Sequence, residues 1–286
     1  MTDASDSIGA CLAGRISPQV ALSRLLLGGA TPDAIELDLQ GRSPGASRTT
    51  LIDLVTAHRA ALERLAAQVA GGGNDHAALW DPAAGPGSIA AFFDRAVAHS
   101  PEASVALYSL GDPAILAAAT REIVDWLDRG RLLGDDVLDL GCGIGRMAEA
   151  LAGRCRSVLG LDVSPGMVSE ARRRHGAQAH LRFEVTDGTG LDALPPGAFD
   201  LVLAVDSFPY IVQIGDALAQ GHISGAARVL RPGGALAILN LSYRADPARD
   251  EADLARWSAV AGLHGSCAGT TPFRLWDGTT YVLRRP

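Results

Sequence analysis

Between Val137 and Arg146 the chain reads VLDLGCGIGR, a short apolar run that empties into a turn with glycine at alternate positions and then into a helix-forming stretch. Glycine permits the tight turn and leaves room for a ligand to approach the backbone where a Cβ would stand in the way. Further apolar runs follow, VLGLDV (158–163), LRFEV (181–185), FDLVLAV (199–205) and LAILNL (236–241), separated by segments with helical periodicity. Strands alternating with helices in this way specify a parallel sheet covered on both faces, so the second half of the chain is predicted to be α/β.

The glycine spacing narrows the ligand. A dinucleotide fingerprint requires G-x-G-x-x-G, whereas here Gly141, Gly143 and Gly145 give G-x-G-x-G and Arg146 stands where the third dinucleotide glycine belongs. Asp162 ends the second strand, where a carboxylate can accept hydrogen bonds from both hydroxyls of a ribose. The alternative for Asp162, which is followed by Ser164-Pro165, is that it caps the next helix. After the third strand comes Asp187-Gly188, where an acidic acceptor and the next backbone N–H could read an adenine edge. Alone, Asp-Gly is an ordinary turn; here it falls at the same crevice as the two preceding elements.

Composition removes several function classes. The formal net charge is −7, and all 25 basic residues are arginine, so the chain has little electrostatic reason to bind nucleic acid. The basic run Arg172, Arg173, Arg174 and His175 sits at the end of a predicted helix, where it complements the helix dipole. Cys11, Cys142, Cys155 and Cys267 show no metal or disulfide spacing, and no carboxylate–histidine cluster suggests a metal site. No G-x-S-x-G nucleophile elbow is present. The polar, acidic amino-terminal residues and the lack of a long apolar run lead us to expect a soluble, cytoplasmic protein that does not enter a membrane.

The first 73 residues read as a helical segment. Ser17-Pro18 and Thr31-Pro32 each open an amphipathic run that ends at glycine, and a third helix is expected from about Thr49 to Gly71. In it Leu51, Leu54, Val55, His58, Leu62, Leu65 and Val69 form one apolar stripe, on which His58 reads as a packed histidine rather than a ligand. A Gly/Pro-rich linker from Gly71 to about Gly87, with a bridging helix from Ser88 to His99, gives expected domains of 1–73, 74–104 and 105–286.

VLDLGCGIGR, LGLDVSPGMV, the Asp187 turn, GAFDLVLAV and RVLRPGGALAIL occur in the order seen in class I methyltransferases dependent on S-adenosylmethionine (SAM). Over Pro113 to Leu241 the chain resembles their small-molecule branch. The resemblance implies a Rossmann-like seven-stranded, mainly parallel sheet of order 3-2-1-4-5-7-6, with LHGSCAGTTPF and TTYVLRR supplying the final hairpin. It implies SAM as the methyl donor and S-adenosylhomocysteine as the product. Asp139, Gly141, Cys142, Gly143 and Gly145 would surround the methionine moiety, Asp162 and Val163 the ribose, and Asp187 with Gly188 the adenine. Met167 resembles the apolar residue that packs on adenine, with a plain core role as the alternative. Tyr108 occupies a position where related enzymes close the cofactor pocket with a tyrosine, ordinary burial being the alternative. Asp206, counted with both cofactor and acceptor, is followed by Ser207 and Tyr210 at the end of the fourth strand.

Methyl transfer from a sulfonium relies on alignment and desolvation, so a base is required only for a protonated acceptor. Candidates are His222, with a helix-surface histidine as its alternative, and Tyr210, Asp206 and Tyr243. The expected activity is N- or O-methylation of a small metabolite or natural-product precursor. Two alternatives are a peptide or protein methyltransferase that docks its substrate on the amino-terminal helices and a nucleotide-binding oxidoreductase. Those helices would otherwise form a lid or a homodimer interface.

Overall fold

The computed structural model describes residues 7–70, 82–244 and 246–286. The stretch 71–81, where most of the expected linker and domain boundary fall, lies outside the described residues, as does the side chain of Val69. Two compact units are present. One comprises Met1–Trp80, Arg95–Ala119 and Phe273–Asp277; the other comprises Asp81–Asp94, Thr120–Pro272 and Gly278–Pro286. The units therefore interleave in sequence, whereas the expected domains follow one another. Residues 105–119 cluster with the amino-terminal helices, and the start of the bridging helix clusters with the sheet.

The helical unit contains α1 (Ser7–Leu12), α2 (Pro18–Leu27), α3 (Pro32–Gln40) and α4 (Ala46–Ala70). The hydroxyls of Ser17 and Thr31 cap α2 and α3 by accepting from Val20 N at 3.1 Å and Ala34 N at 3.3 Å, each cap contributing about 1 kcal/mol. Sequence reasoning missed α1, which has no cap signal, and placed the start of α4 at Thr49. The helix begins at Ala46, and the Thr49 and Thr50 hydroxyls instead donate back to the carbonyls of Gly45 and Ala46. Ile8, Leu22, Leu26, Ile35, Leu39, Leu51, Val55, Leu62 and Leu65 form the core of this unit. His58 is half-buried at its edge, with Nδ1 3.4 Å from Asp112.

In the sheet unit, α5 (Pro86–His99) contributes residues up to Asp94 and α7 (Pro113–Arg129) those from Thr120, the short α6 (Pro101–Val105) lying between them in sequence. The strands are β1 (Asp136–Leu140), β2 (Ser157–Asp162), β3 (Leu181–Val185), β4 (Phe199–Val205), β5 (Leu230–Leu239), β6 (His264–Thr270) and β7 (Thr280–Arg284). They form one seven-stranded sheet of order β3-β2-β1-β4-β5-β7-β6. All pairs are parallel except β5–β7 and β6–β7. Intervening helices are α8 (Arg146–Leu151), α9 (Pro165–His175), α10 (Phe208–Ile214), α11 (Asp216–Val229) and α12 (Pro247–Ala261). Leu138, Val202, Leu236 and Ile238 pack with Ile223, Leu254 and Trp257 to cover one face, which accounts for the unbroken apolar runs in the central strands. The order reverses between β1 and β4, and in open α/β sheets ligands bind at the carboxyl ends beside such a switch point.

Candidate functional site

At that switch point β1 runs into the glycine turn. The N–H groups of Gly141 and Cys142 both donate to Leu161 O of β2, at 2.8 and 3.0 Å, folding the turn back over the neighbouring strand. Gly141, Gly143 and Gly145 have φ of +79°, +52° and +81°, a left-handed conformation that costs other residues about 1 kcal/mol or more. A Cβ on Gly141 would stand 2.4 Å from the Ser207 Cβ, so the turn from β1 and the turn after β4 are in van der Waals contact. Cys142 is buried against Gly160 and has no exposed thiol to offer.

Asp139 is 1% exposed, and its Oδ2 is enclosed without a hydrogen-bond partner. Burial pushes its carboxyl up to about 7, against the pull of the nearby Arg146 guanidinium. Arg146 is itself buried and donates to Thr120 Oγ1 at 3.2 Å. Ser207 Oγ is a second enclosed polar atom with no partner. Leaving such a group unpaired costs about 1–3 kcal/mol, so two of them flanking a glycine turn mark a place built for a polar ligand.

Asp162 ends β2 as expected, but it has more to hold than a ligand. Its Oδ2 accepts from Gly143 N and its Oδ1 from Ser164 N, both at 2.9 Å. The carboxylate thus fixes the glycine turn and the entry to α9 together, and the lone pairs that remain can still face a diol. Burial lifts its carboxyl to about 6, opposed by those backbone donors. Ser164 caps α9 by accepting from Met167 N at 3.0 Å, and Asp94 of α5 accepts from Ser164 Oγ at 2.5 Å and Gly166 N at 2.8 Å. Nothing in the sequence signalled Asp94, because its partners lie some seventy positions away.

The Asp187 turn adjoins this edge. Thr186 N donates to Asp162 O at 2.9 Å, and a Cβ on Gly188 would meet Val163 Cγ1 at 2.7 Å and Pro86 Cβ at 2.8 Å. Asp187 is exposed, and Thr189 N and Oγ1 both donate to its Oδ1, holding its carboxyl below the usual range. The expected N–H donor on Gly188 is already directed at Thr186 Oγ1, at 3.3 Å. Met167 is 1% exposed, which favours the core role over contact with a base.

At the carboxyl ends of β4 and β5 the structure brings Asp206, Ser207, Tyr210 and Tyr243 together with Phe93 and Asn240. His222 stays apart from them. It is buried on α11, correcting the surface alternative, with Nδ1 donating to Leu218 O at 2.9 Å; burial lowers its basicity, and its charged neighbour is Asp187. Tyr108 belongs to the helical unit, where its ring stacks on Trp276 at 6.0 Å. His175 lies in the last turn of α9 as expected and is buried beneath Gly145 and Phe183, while Arg172 donates to Phe183 O and Arg173 and Arg174 pair with Glu170. Among the described residues no group of histidine, cysteine and carboxylate side chains could hold a metal ion.

Residues 137–234 match a family model described as the methyltransferase domain, and the strand order is the one the resemblance implied. Residues 137–234 of the sheet unit thus carry a methyltransferase domain on a sheet of the expected order. The chain is 33% identical over 114 residues to demethylmenaquinone methyltransferase of Tropheryma whipplei strain Twist, covering 40% of this chain and 45% of that protein. It is 39% identical over 122 residues to trans-aconitate 2-methyltransferase of Methylobacterium nodulans, covering 42% of this chain and 43% of that one. The match therefore spans somewhat under half the length of these relatives. Among solved structures, phosphoethanolamine N-methyltransferase 1 of Haemonchus contortus shares the fold at 17% identity, with a TM-score of 0.55 over 70% of this chain and 48% of that chain.

Proposed function

We propose that this chain transfers a methyl group from SAM to a nitrogen or oxygen of a small metabolite or natural-product precursor. The observation that carries the proposal is the pair of enclosed, unpartnered polar atoms, Asp139 Oδ2 and Ser207 Oγ, on either side of the glycine turn of a methyltransferase domain. The residues fit the cofactor: its methionine moiety carries an ammonium and a sulfonium, for which a buried carboxylate is the matching charge. Bound there, SAM supplies a methyl group already activated by positive sulfur.

In this assignment Asp139, Gly141, Cys142, Gly143 and Gly145 hold the methionine moiety. Asp162 and Val163 hold the ribose, and Asp187 and Gly188 flank the adenine. Asp206, Ser207 and Tyr210 face the acceptor. The chain's contribution is to align acceptor and methyl and to exclude water, the effects that govern an in-line displacement. Relatives are named for small acceptors, demethylmenaquinone and trans-aconitate, and also for ribosomal protein L11; what speaks against a polyanionic acceptor is a basic run tied up in intramolecular pairs. No helix among the described residues is long and apolar enough to cross a membrane; we place the protein in the cytoplasm and assign its amino-terminal helices to a lid or a homodimer contact.

Calorimetric titration with SAM, S-adenosylhomocysteine and NADH tests the reading. Binding of both adenosyl ligands and not of NADH supports it. NADH binding with neither adenosyl ligand overturns it and returns Asp162 to a dinucleotide role.

A further inference from the structure

One side-chain group lies at the carboxyl ends of β4 and β5, beside the residues assigned above to the cofactor. Asp206 follows β4 and Asn240 follows β5, with φ of +57° and +67°, a conformation that bulkier residues avoid and that Asp and Asn tolerate best. Asn240 Nδ2 donates to Asp206 Oδ1 at 2.6 Å. Asn240 is pinned in turn, its N–H donating to Thr279 O at 2.7 Å and its Oδ1 accepting from Thr279 N at 3.2 Å. The Asp206 carboxylate is thereby held in one orientation beside Ser207, which touches the glycine turn.

Two tyrosine rings, Tyr210 and Tyr243, lie beside that carboxylate, and Phe93 packs against the first of them. Tyr210 is edge-to-face with Phe93 (5.1 Å, 77°) and with Tyr243 (5.8 Å, 89°). The Tyr243 hydroxyl is hydrogen-bonded with the Asp206 carboxylate and the Tyr210 hydroxyl. Tyr243 is 44% exposed overall, while its hydroxyl end is buried among these neighbours. Rings set nearly at right angles present their negative faces in different directions around one spot, and such faces attract a cation.

Resting on the methyl-transfer reading above, we propose that Phe93, Tyr210, Tyr243 and Asp206 form the acceptor subsite and that the acceptor is an amine, bound as its ammonium. The carboxylate pairs with the charge and the rings solvate it, whereas a neutral alcohol gains neither contact and a carboxylate acceptor is repelled. The bound ammonium gives one proton to Asp206. Its nitrogen then forms a bond to the methyl carbon as the carbon–sulfur bond breaks, and positive charge passes from sulfur to nitrogen. Asp206 returns its proton to water, which restores the site.

The test is saturation-transfer NMR with choline and its neutral isostere 3,3-dimethyl-1-butanol as probes, on protein with and without S-adenosylhomocysteine. Choline is expected to bind about tenfold tighter than the isostere, from the strength of cation–π and ion-pair contacts. Tyr243→Phe should keep that preference, while Tyr243→Leu and Asp206→Asn should abolish it. Tyr243 is exposed enough for its replacement to leave the fold intact, which the melting temperature verifies. Equal binding of the two probes, or an unchanged preference in Tyr243→Leu, overturns the amine assignment. Failure of S-adenosylhomocysteine to bind overturns the methyl-transfer reading instead, and the probe preference measured without it still judges the subsite.

Discussion

Two aspartates on β1, Asp136 and Asp139, mark opposite ends of the sheet and have been given opposite surroundings. Asp136, at the amino end, accepts from Arg231 Nη2 at 2.8 Å, from Ser157 Oγ at 2.8 Å and from Arg156, and these partners hold its carboxyl down at about 2. Arg231 also reaches Asp200 at 2.8 Å. Asp139 is buried with one oxygen unpartnered and a carboxyl raised to about 7. The first carboxylate is satisfied by the protein itself; the second is left to be satisfied by something else. A charge that lowers stability while it waits for a ligand marks a binding site, and a charge already neutralised marks the scaffold.

Substitutions should separate the two ends. The largest effect is expected for Gly141→Ala, where a left-handed φ and a 2.4 Å approach to Ser207 combine; strain and overpacking together should cost about 3 kcal/mol in unfolding free energy and remove SAM binding. A melting temperature and affinity matching those of the unmodified protein would break the contact on which the site is built. Asp139→Asn comes next: losing a charge-assisted partner should weaken SAM binding by about 2 kcal/mol without lowering the melting temperature, since the buried charge and its desolvation cost disappear together. Asp136→Asn should reverse that pattern, lowering stability by about 1 kcal/mol in denaturant titration with SAM affinity unchanged. If both variants moved the same quantity, the comparison would fail.

The smallest effects lie in pH dependence. Asp136 has a folded value below the unfolded one, so its contribution to stability is present above about 4 and fades as pH falls toward about 2. Asp139 and Asp162 have folded values raised to about 7 and about 6, so stability falls as pH rises from about 4 through those values. Affinity for the cationic SAM should increase over the upper part of that range as the carboxylates ionise, and calorimetry at pH 5.5 and 8 reads the difference. Asp139→Asn should flatten it.

The features legible in the sequence were those carried by neighbours in the chain. The glycine turn, Asp162 at the end of β2 and the caps at Ser17 and Thr31 all depend on short spacings, while the strand order came only from the resemblance that the motif series carries. What escaped depends on pairing across long separations. Asp94 meets Ser164, Asn240 meets Asp206 and Ser207 meets Gly141, and no periodicity reports such partners. The burial of His222 escaped for a related reason, since a helix pattern gives the face on which a residue lies but not what other elements cover it. The start of α4 was missed because threonine in a first turn can donate back along its own helix as readily as it can cap one.

Strand β7 lies between β5 and β6 although it follows both in the chain. During synthesis β6 therefore emerges before the strand that is, among the described residues, its only sheet neighbour, and the buried edge of β5 waits for the same strand. At about 5–20 residues per second, the stretch from Thr270 to Arg284 takes on the order of one to three seconds to appear. For that interval the nascent chain carries an open apolar edge, which only the last strand can close.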